Sequence, residues 1–206
     1  MDPAATEILE FWFGRAPPSP AALEQRMAFW FGAAPPDERR RRDEAIRARF
    51  GHLIEPAASG ALAAWAQVPR GRLALIILLD QFPRNAFRGT ARAFAYDTAA
   101  LRLTLDGLEA KADVRLEPIE RIFFYLPLQH AESLAMQDLS VAAYRRLLAE
   151  APPAARSVFE ETLRYAEDHR AVVARFGRYP HRNRILGRIS TPDELAYLET
   201  ADSYGQ

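Results

Sequence analysis

Apolar residues in this chain recur at intervals of three and four and hardly anywhere at two, the period of helices that turn one face inward. An all-α fold of antiparallel helices in a single domain is therefore expected. Asp2 before Pro3 makes an N-cap and first-turn pair for a helix through Ile8, Leu9 and Trp12, which Gly14 and Pro17-Pro18 end. Ser19 before Pro20 starts a second. It finishes in Phe29-Trp30-Phe31-Gly32, an echo of Phe11-Trp12-Phe13-Gly14 set 18 residues earlier. A helical-hairpin repeat needs about 34 residues, so the echo marks two similar helix ends with inward aromatics and not a solenoid.

Further along, Arg39 to Arg42 sits among Asp37, Glu38, Asp43 and Glu44, with Glu38–Arg42 and Asp43–Arg47 at i,i+4, and reads as a solvated helix face. The same helix carries Ile46, Phe50, Leu53 and Ile54 and is expected to break before Pro56. A short helix around Leu62 and Trp65 follows. Pro69 then opens a helix that is apolar on every side from Leu73 to Leu79 and central to the core, with Pro83 forcing its end. Thr90 caps the next, with the stripe Phe94, Ala95, Thr98, Leu101, Leu105 and Leu108. Pro118 starts one bearing Ile119, Ile122, Phe123 and Leu126, interrupted or kinked at Pro127; Ser140 caps another through Tyr144 and Leu148. Thr162, Ala166, His169, Val173 and Phe176 share a face of a long helix stopped by Gly177. Thr191, Pro192 and Glu194 form a capping box that places the last helix at about 192 to 200, before a frayed tail from Ala201 to Gln206.

Composition narrows the function. The 206 residues carry 27 basic and 27 acidic side chains, so no global field draws in nucleic acid or an anionic membrane. The longest apolar run, Leu73 to Leu79, falls far short of the roughly 20 residues that span a bilayer, and Glu7 and Glu10 interrupt anything resembling a secretory signal. Absence of cysteine excludes disulfides, thiolate metal sites and a cysteine nucleophile, and suits a cytoplasmic protein. Serine-hydrolase, phosphate-loop, zinc-protease and calcium-loop motifs are missing.

Charge is nevertheless unevenly distributed. His169 to Arg188 holds six arginines and two histidines without a carboxylate. Arg178, His181, Arg182, Asn183 and Arg188 occupy a turn entering a helix, where free backbone N–H groups and guanidinium forks suit carboxylate or phosphate. The alternative is that these arginines cap helix ends and pair with Asp80, Glu132 or Asp138. Asp80, in the last turn of the central helix, opposes the helix dipole and calls for a cation, which the segment near residue 180 supplies; Arg84 and Asn85 lie beside it. In a functional reading Asp80 orients a group that holds a ligand. His130 and His169 both point inward and are the candidates for acid–base chemistry. Glu132 faces His130 only if the chain between them is irregular. His130, His169 and His181 have no local metal-ligand spacing, so neither a metal nor a cofactor is expected.

Three segments, Ile8-Leu9-Glu10-Phe11-Trp12-Phe13-Gly14, Leu79-Asp80-Gln81-Phe82-Pro83-Arg84-Asn85 and Arg175-Phe176-Gly177-Arg178-Tyr179-Pro180-His181-Arg182-Asn183 with Leu186-Gly187-Arg188, together resemble the bacterial domain-of-unknown-function family nine-two-four. The resemblance implies an all-helical fold of the tetratricopeptide-like superfamily and no assigned activity, cofactor or partner. It also marks Phe124-Tyr125-Leu126-Pro127 with His130 and Glu132; a hydroxyl residue is expected after the histidine, where this chain has Ala131, so a mechanism needing that hydroxyl does not carry over. The reading that follows is a cytoplasmic protein that binds a small anionic molecule or an acidic peptide end. The alternatives are an enzyme using His130 or His169 on such a ligand and an interaction or dimerisation scaffold, and the sequence leaves self-association open.

Overall fold

The computed structural model describes residues 1–15, 20–32 and 34–201. Among them all regular structure is helical: α1 (Pro3–Phe13), α2 (Pro20–Phe31), α3 (Pro36–Ala58), α4 (Pro69–Ala86), α5 (Asp97–Glu109), α6 (Pro118–His130), α7 (Leu134–Ala149), α8 (Arg156–Phe176) and α9 (Pro192–Leu198), with short 3-10 turns between. None of these helices is long and apolar enough to cross a membrane. The proposed Ser19 cap and the tail beyond 201 lie outside the described residues.

Helix starts follow the local chemistry of the sequence. Asp2 accepts from the Ala4 N–H at 2.8 Å, and Thr191 and Glu194 complete a reciprocal box at the head of α9. Gly177, at φ 70°, ends α8 in the left-handed conformation that a side chain would resist. The echoed aromatics prove to be two faces of one contact. Phe11 on Phe29, Trp12 on Phe29 and Phe13 on Trp30 meet edge to face with centroids 5.6–6.2 Å apart, and the Trp30 indole donates to the Trp12 carbonyl. Such pairs add about 0.5–1.5 kcal/mol each beyond burial.

Helix α4 is the centre. Its residues from Leu73 to Asp80 are all buried, and it packs on α1, α3, α5 and α6. Antiparallel to it runs α3, whose Arg47 donates twice to the Ala86 carbonyl while Asp43 holds Arg88. These contacts replace the expected Asp43–Arg47 pair within the helix. Arg42 likewise turns back to the Phe29 carbonyl and ring, so only Arg40 and Arg41 of that run are fully exposed.

Four helix boundaries differ from expectation. Pro56 and Pro83 lie inside helices, which continue to Ala58 and Ala86, and α6 likewise runs through Pro127, where the sequence allows a kink or interruption, to His130. Each proline forfeits one main-chain hydrogen bond, but around Pro83 and Pro127 nearly every side chain is buried, and that packing outweighs the loss. Ser140 is a buried residue within α7, with Ser133 at its N-cap position. Thr90 heads only the 3-10 turn Ala91–Phe94, and α5 opens at Asp97. The buried face of α5 is Ala100, Thr104 and Gly107 rather than the leucine stripe, because α6 approaches too closely for larger groups. A Cβ on Gly107 would meet the Phe124 ring at 2.6 Å.

Continuation of α4 past Pro83 also moves Asp80 well inside the helix, away from its last turn. The partial charge at the end of α4 therefore does not fall on Asp80, whose partners are set by packing.

A candidate anion site at the junction of five helices

Helices α4 and α6 lie side by side and parallel, with Arg70 on Glu120 near their starts and Asp80 on His130 further along. This brings His130 Nδ1 to 2.7 Å from Asp80 Oδ1, with Asp80 fully buried. Arg84, one turn on, donates to the Asp80 carbonyl at 2.7 Å and approaches its carboxylate at 3.3 Å. Burial opposes the charge on Asp80, yet Arg84 and His130 hold it well below the usual carboxylate range. Since the carboxylate is ionised, the imidazole must be the donor, which leaves Nε2 of a neutral ring as an acceptor.

The same Arg84 makes a bidentate pair with Asp97 in the first turn of α5, at 2.8 and 2.9 Å. Asp97 in turn receives Arg182 Nη1 at 3.4 Å. Residues near 80 and near 180 therefore do meet, as the charge pattern requires, but through Asp97. Asp80 itself pairs with Arg84 and His130 and with none of the arginines near 180.

Tyr179 fixes the Pro180–Arg182 turn in place. Its hydroxyl donates to the Gln129 carbonyl and accepts from Gln137, while its N–H donates to Glu132 at 2.8 Å. Arg182 then stacks between Phe94 and Tyr179, its guanidinium 4.7 and 4.5 Å from their ring centres. It is only 6% exposed, and its Nε has no hydrogen-bond partner among the described residues. Burial and the neighbouring Arg84 both lower its pKa.

These groups face a cavity of about 770 Å³ bounded chiefly by α2, α3, α4, α6 and α8. Five arginines line it, Arg39, Arg42, Arg84, Arg88 and Arg182, together with His130, His169 and His181. Among the described lining residues the one carboxylate is the exposed Glu161. The acids that answer the arginines, Asp43, Asp80 and Asp97, stand behind the guanidinium groups and not on the wall. The cavity surface is thus cationic although its surroundings are nearly balanced. His169 is pulled down to about 3 by burial and by His130, and His181 to about 3 by burial and by Arg182. His169 Nδ1 lies 2.8 Å from the Tyr165 carbonyl and so carries the proton in the neutral ring.

Of the residues expected at the site, Arg84, Asn85, His130, His169, His181 and Arg182 line this cavity, and Asp80 stands directly behind it. The others do not. Arg178 makes a bidentate pair with Glu194. Asn183 is buried on Ser190 and Glu194, and Arg188 pairs bidentately with Glu132. These residues fasten the chain after α8 to α9 and to the α6–α7 turn. Glu132 does sit in an irregular stretch, yet it takes Arg188 and the Tyr179 N–H instead of His130. Among the described residues no three histidines, aspartates or glutamates converge as a metal would require.

Sequence reasoning missed Arg39, Arg42, Arg88, Asp97 and Glu161. Arg84 and Arg88 are spaced i,i+4, a signal for a shared cationic face that was available; Arg42 was hidden by the acids beside it in sequence.

A family model described as bacterial protein of unknown function (DUF924) matches residues 8–202. A solved structure of a protein of unknown function, ATU0120 from Agrobacterium tumefaciens, is 36% identical over 89% of this chain and 100% of that one, with a TM-score of 0.71. No curated protein matches at a significant level.

Proposed function

Because the chain belongs to the DUF924 family of bacterial proteins of unknown function, membership brings no activity with it, and we propose from the cavity itself that the protein binds a small anionic molecule there. The observation that carries this reading is the layered charge: five guanidinium groups on the wall, with the carboxylates that pair with Arg84, Arg88 and Arg182 behind it. Buried cations whose charge is only partly answered gain most from an anion that brings its own, and arginine forks suit carboxylate and phosphate.

The test is a thermal-shift and calorimetric screen of phosphorylated and carboxylated compounds against wild type and Arg182→Ala. A ligand present at a hundred times its Kd stabilises by about 2.7 kcal/mol. Stabilisation of wild type that is lost in a folded Arg182→Ala supports the reading. If no anion shifts the melting point and Arg182→Ala simply unfolds, the scaffold alternative replaces it.

A second reading, catalysis by His130, is favoured by one specific feature. Asp80 fixes the tautomer of a ring that lines the cavity, so a neutral Nε2 is presented as a general base, and the imidazolium formed on proton uptake would be held by Asp80. Incubating the identified ligand with wild type and His130→Gln and following it by NMR decides this. An unchanged ligand with both proteins removes the catalytic reading and leaves binding intact.

A further inference from the structure

A second cavity of about 400 Å³ abuts the first, and Phe94, His130 and Arg182 belong to the walls of both. Its own walls differ in character. Ala95, Leu101, Pro127 and Leu186 line it together with the hydroxyls of Thr98 and Ser133, and Pro127 has no N–H to offer. Its two carboxylates are already engaged, Asp97 by Arg84 and Arg182 and Glu132 by Arg188 and the Tyr179 N–H. An anionic group entering here would meet two carboxylates and no cation but Arg182, which stands with His130 at its edge, whereas a short hydrocarbon chain would pack on the apolar side chains and shed water.

From this juxtaposition we infer that the ligand is an acid carrying a short apolar substituent, its anionic group on Arg182 in the arginine cavity and its hydrocarbon part in the second cavity. The inference rests on the anion-binding reading and specifies its ligand class. Arg182 is the hinge of the argument. It faces both spaces and is answered by Asp97 only at 3.4 Å, so its terminal nitrogens are where an incoming oxygen would be received. His130 stands at the same junction, beside the atom that joins head and tail.

Two homologous series test it by calorimetry: methyl, ethyl and n-butyl phosphate, and acetate, propionate and pentanoate. A buried methylene is worth about fourfold in affinity, so the longest member of at least one series is expected to bind at least about tenfold tighter than the shortest. Ala95→Trp, which fills the second cavity from an exposed position, and Leu101→Asn, which makes its wall polar, are each expected to erase that gain. Both should leave methyl phosphate and acetate within about twofold of wild type, because neither residue lines the arginine cavity.

Equal affinity along both series overturns the inference while leaving anion binding standing, as does a gain that survives in both variants. Failure of every member of both series to bind overturns the anion-binding reading and the inference with it.

Discussion

His130 donates to Asp80 across 2.7 Å and fifty positions of chain, tying the end of α6 to the middle of α4. Everything else at the site is arranged around that bond. Arg84 reaches forward from Asp80 to Asp97, Asp97 receives Arg182, and the wall of the cavity follows.

Removal of Asp80 is therefore expected to be costly. Asp80→Ala leaves Arg84 with one acid in place of two and strips His130 of its acceptor in a buried setting. Losing one member of a buried charge network costs about 3–5 kcal/mol. Urea unfolding at neutral pH measures this; a loss below about 1 kcal/mol would mean that the network does not hold α4 and α6 together.

Stability should fall on mild acidification. His169 and His181 have folded values near 3 against an ordinary 6.5, and His130 is lowered in the same direction. The unfolded chain takes up these protons first. Their contribution is thus complete above about pH 6.5 and is lost as pH falls towards 3, with a slope of up to about 1.4 kcal/mol per pH unit for each histidine. Denaturation midpoints between pH 7.5 and 5 report it, and His169→Gln is expected to flatten the profile. An unchanged slope in that variant would show that His169 is not kept neutral by folding.

Arg188 and Arg182 should behave in opposite ways although both belong to the same basic segment. Arg188→Ala breaks the pair with Glu132 and costs about 1–2 kcal/mol of stability, with affinity for a bound anion kept within about twofold. Arg182→Ala should abolish that affinity. Calorimetry on the two variants separates the roles, and equal losses of affinity would place Arg188 in the site.

At the α5–α6 contact, Gly107→Ala inserts a methyl group 2.6 Å from both the Phe124 ring and the Arg72 side chain. Overpacking of this kind costs about 1–3 kcal/mol, even though alanine favours the helix intrinsically. A melting temperature equal to wild type would show that α6 can draw back.

Much of the helical architecture could be read in advance where its cause is local. Asp2 and Thr191 cap because their side chains reach an N–H two or three residues away, and Gly177 ends α8 because its own φ is positive. The 3.6-residue period likewise gave the buried face of α8. Pro56 and Pro83 misled for the opposite reason. A proline's cost is local, but whether a helix tolerates it depends on how much of the surrounding surface is buried, and that is a property of the packed molecule.

The charge pattern behaved in the same way. That the segment from His169 to Arg188 required acids from elsewhere followed from the sequence alone, since it contains none. Which arginine met which acid did not. Arg178 found Glu194 and Arg188 found Glu132, while Arg182 was left sharing Asp97 with Arg84 and facing a cavity. An ion pair needs its atoms within about 4 Å, a distance fixed by how helices far apart in the chain pack together. Local periodicity and composition were enough to establish the helical class and the presence of unanswered charge; the packing of distant helices settled which cations were consumed in holding the fold and which were left on a cavity wall.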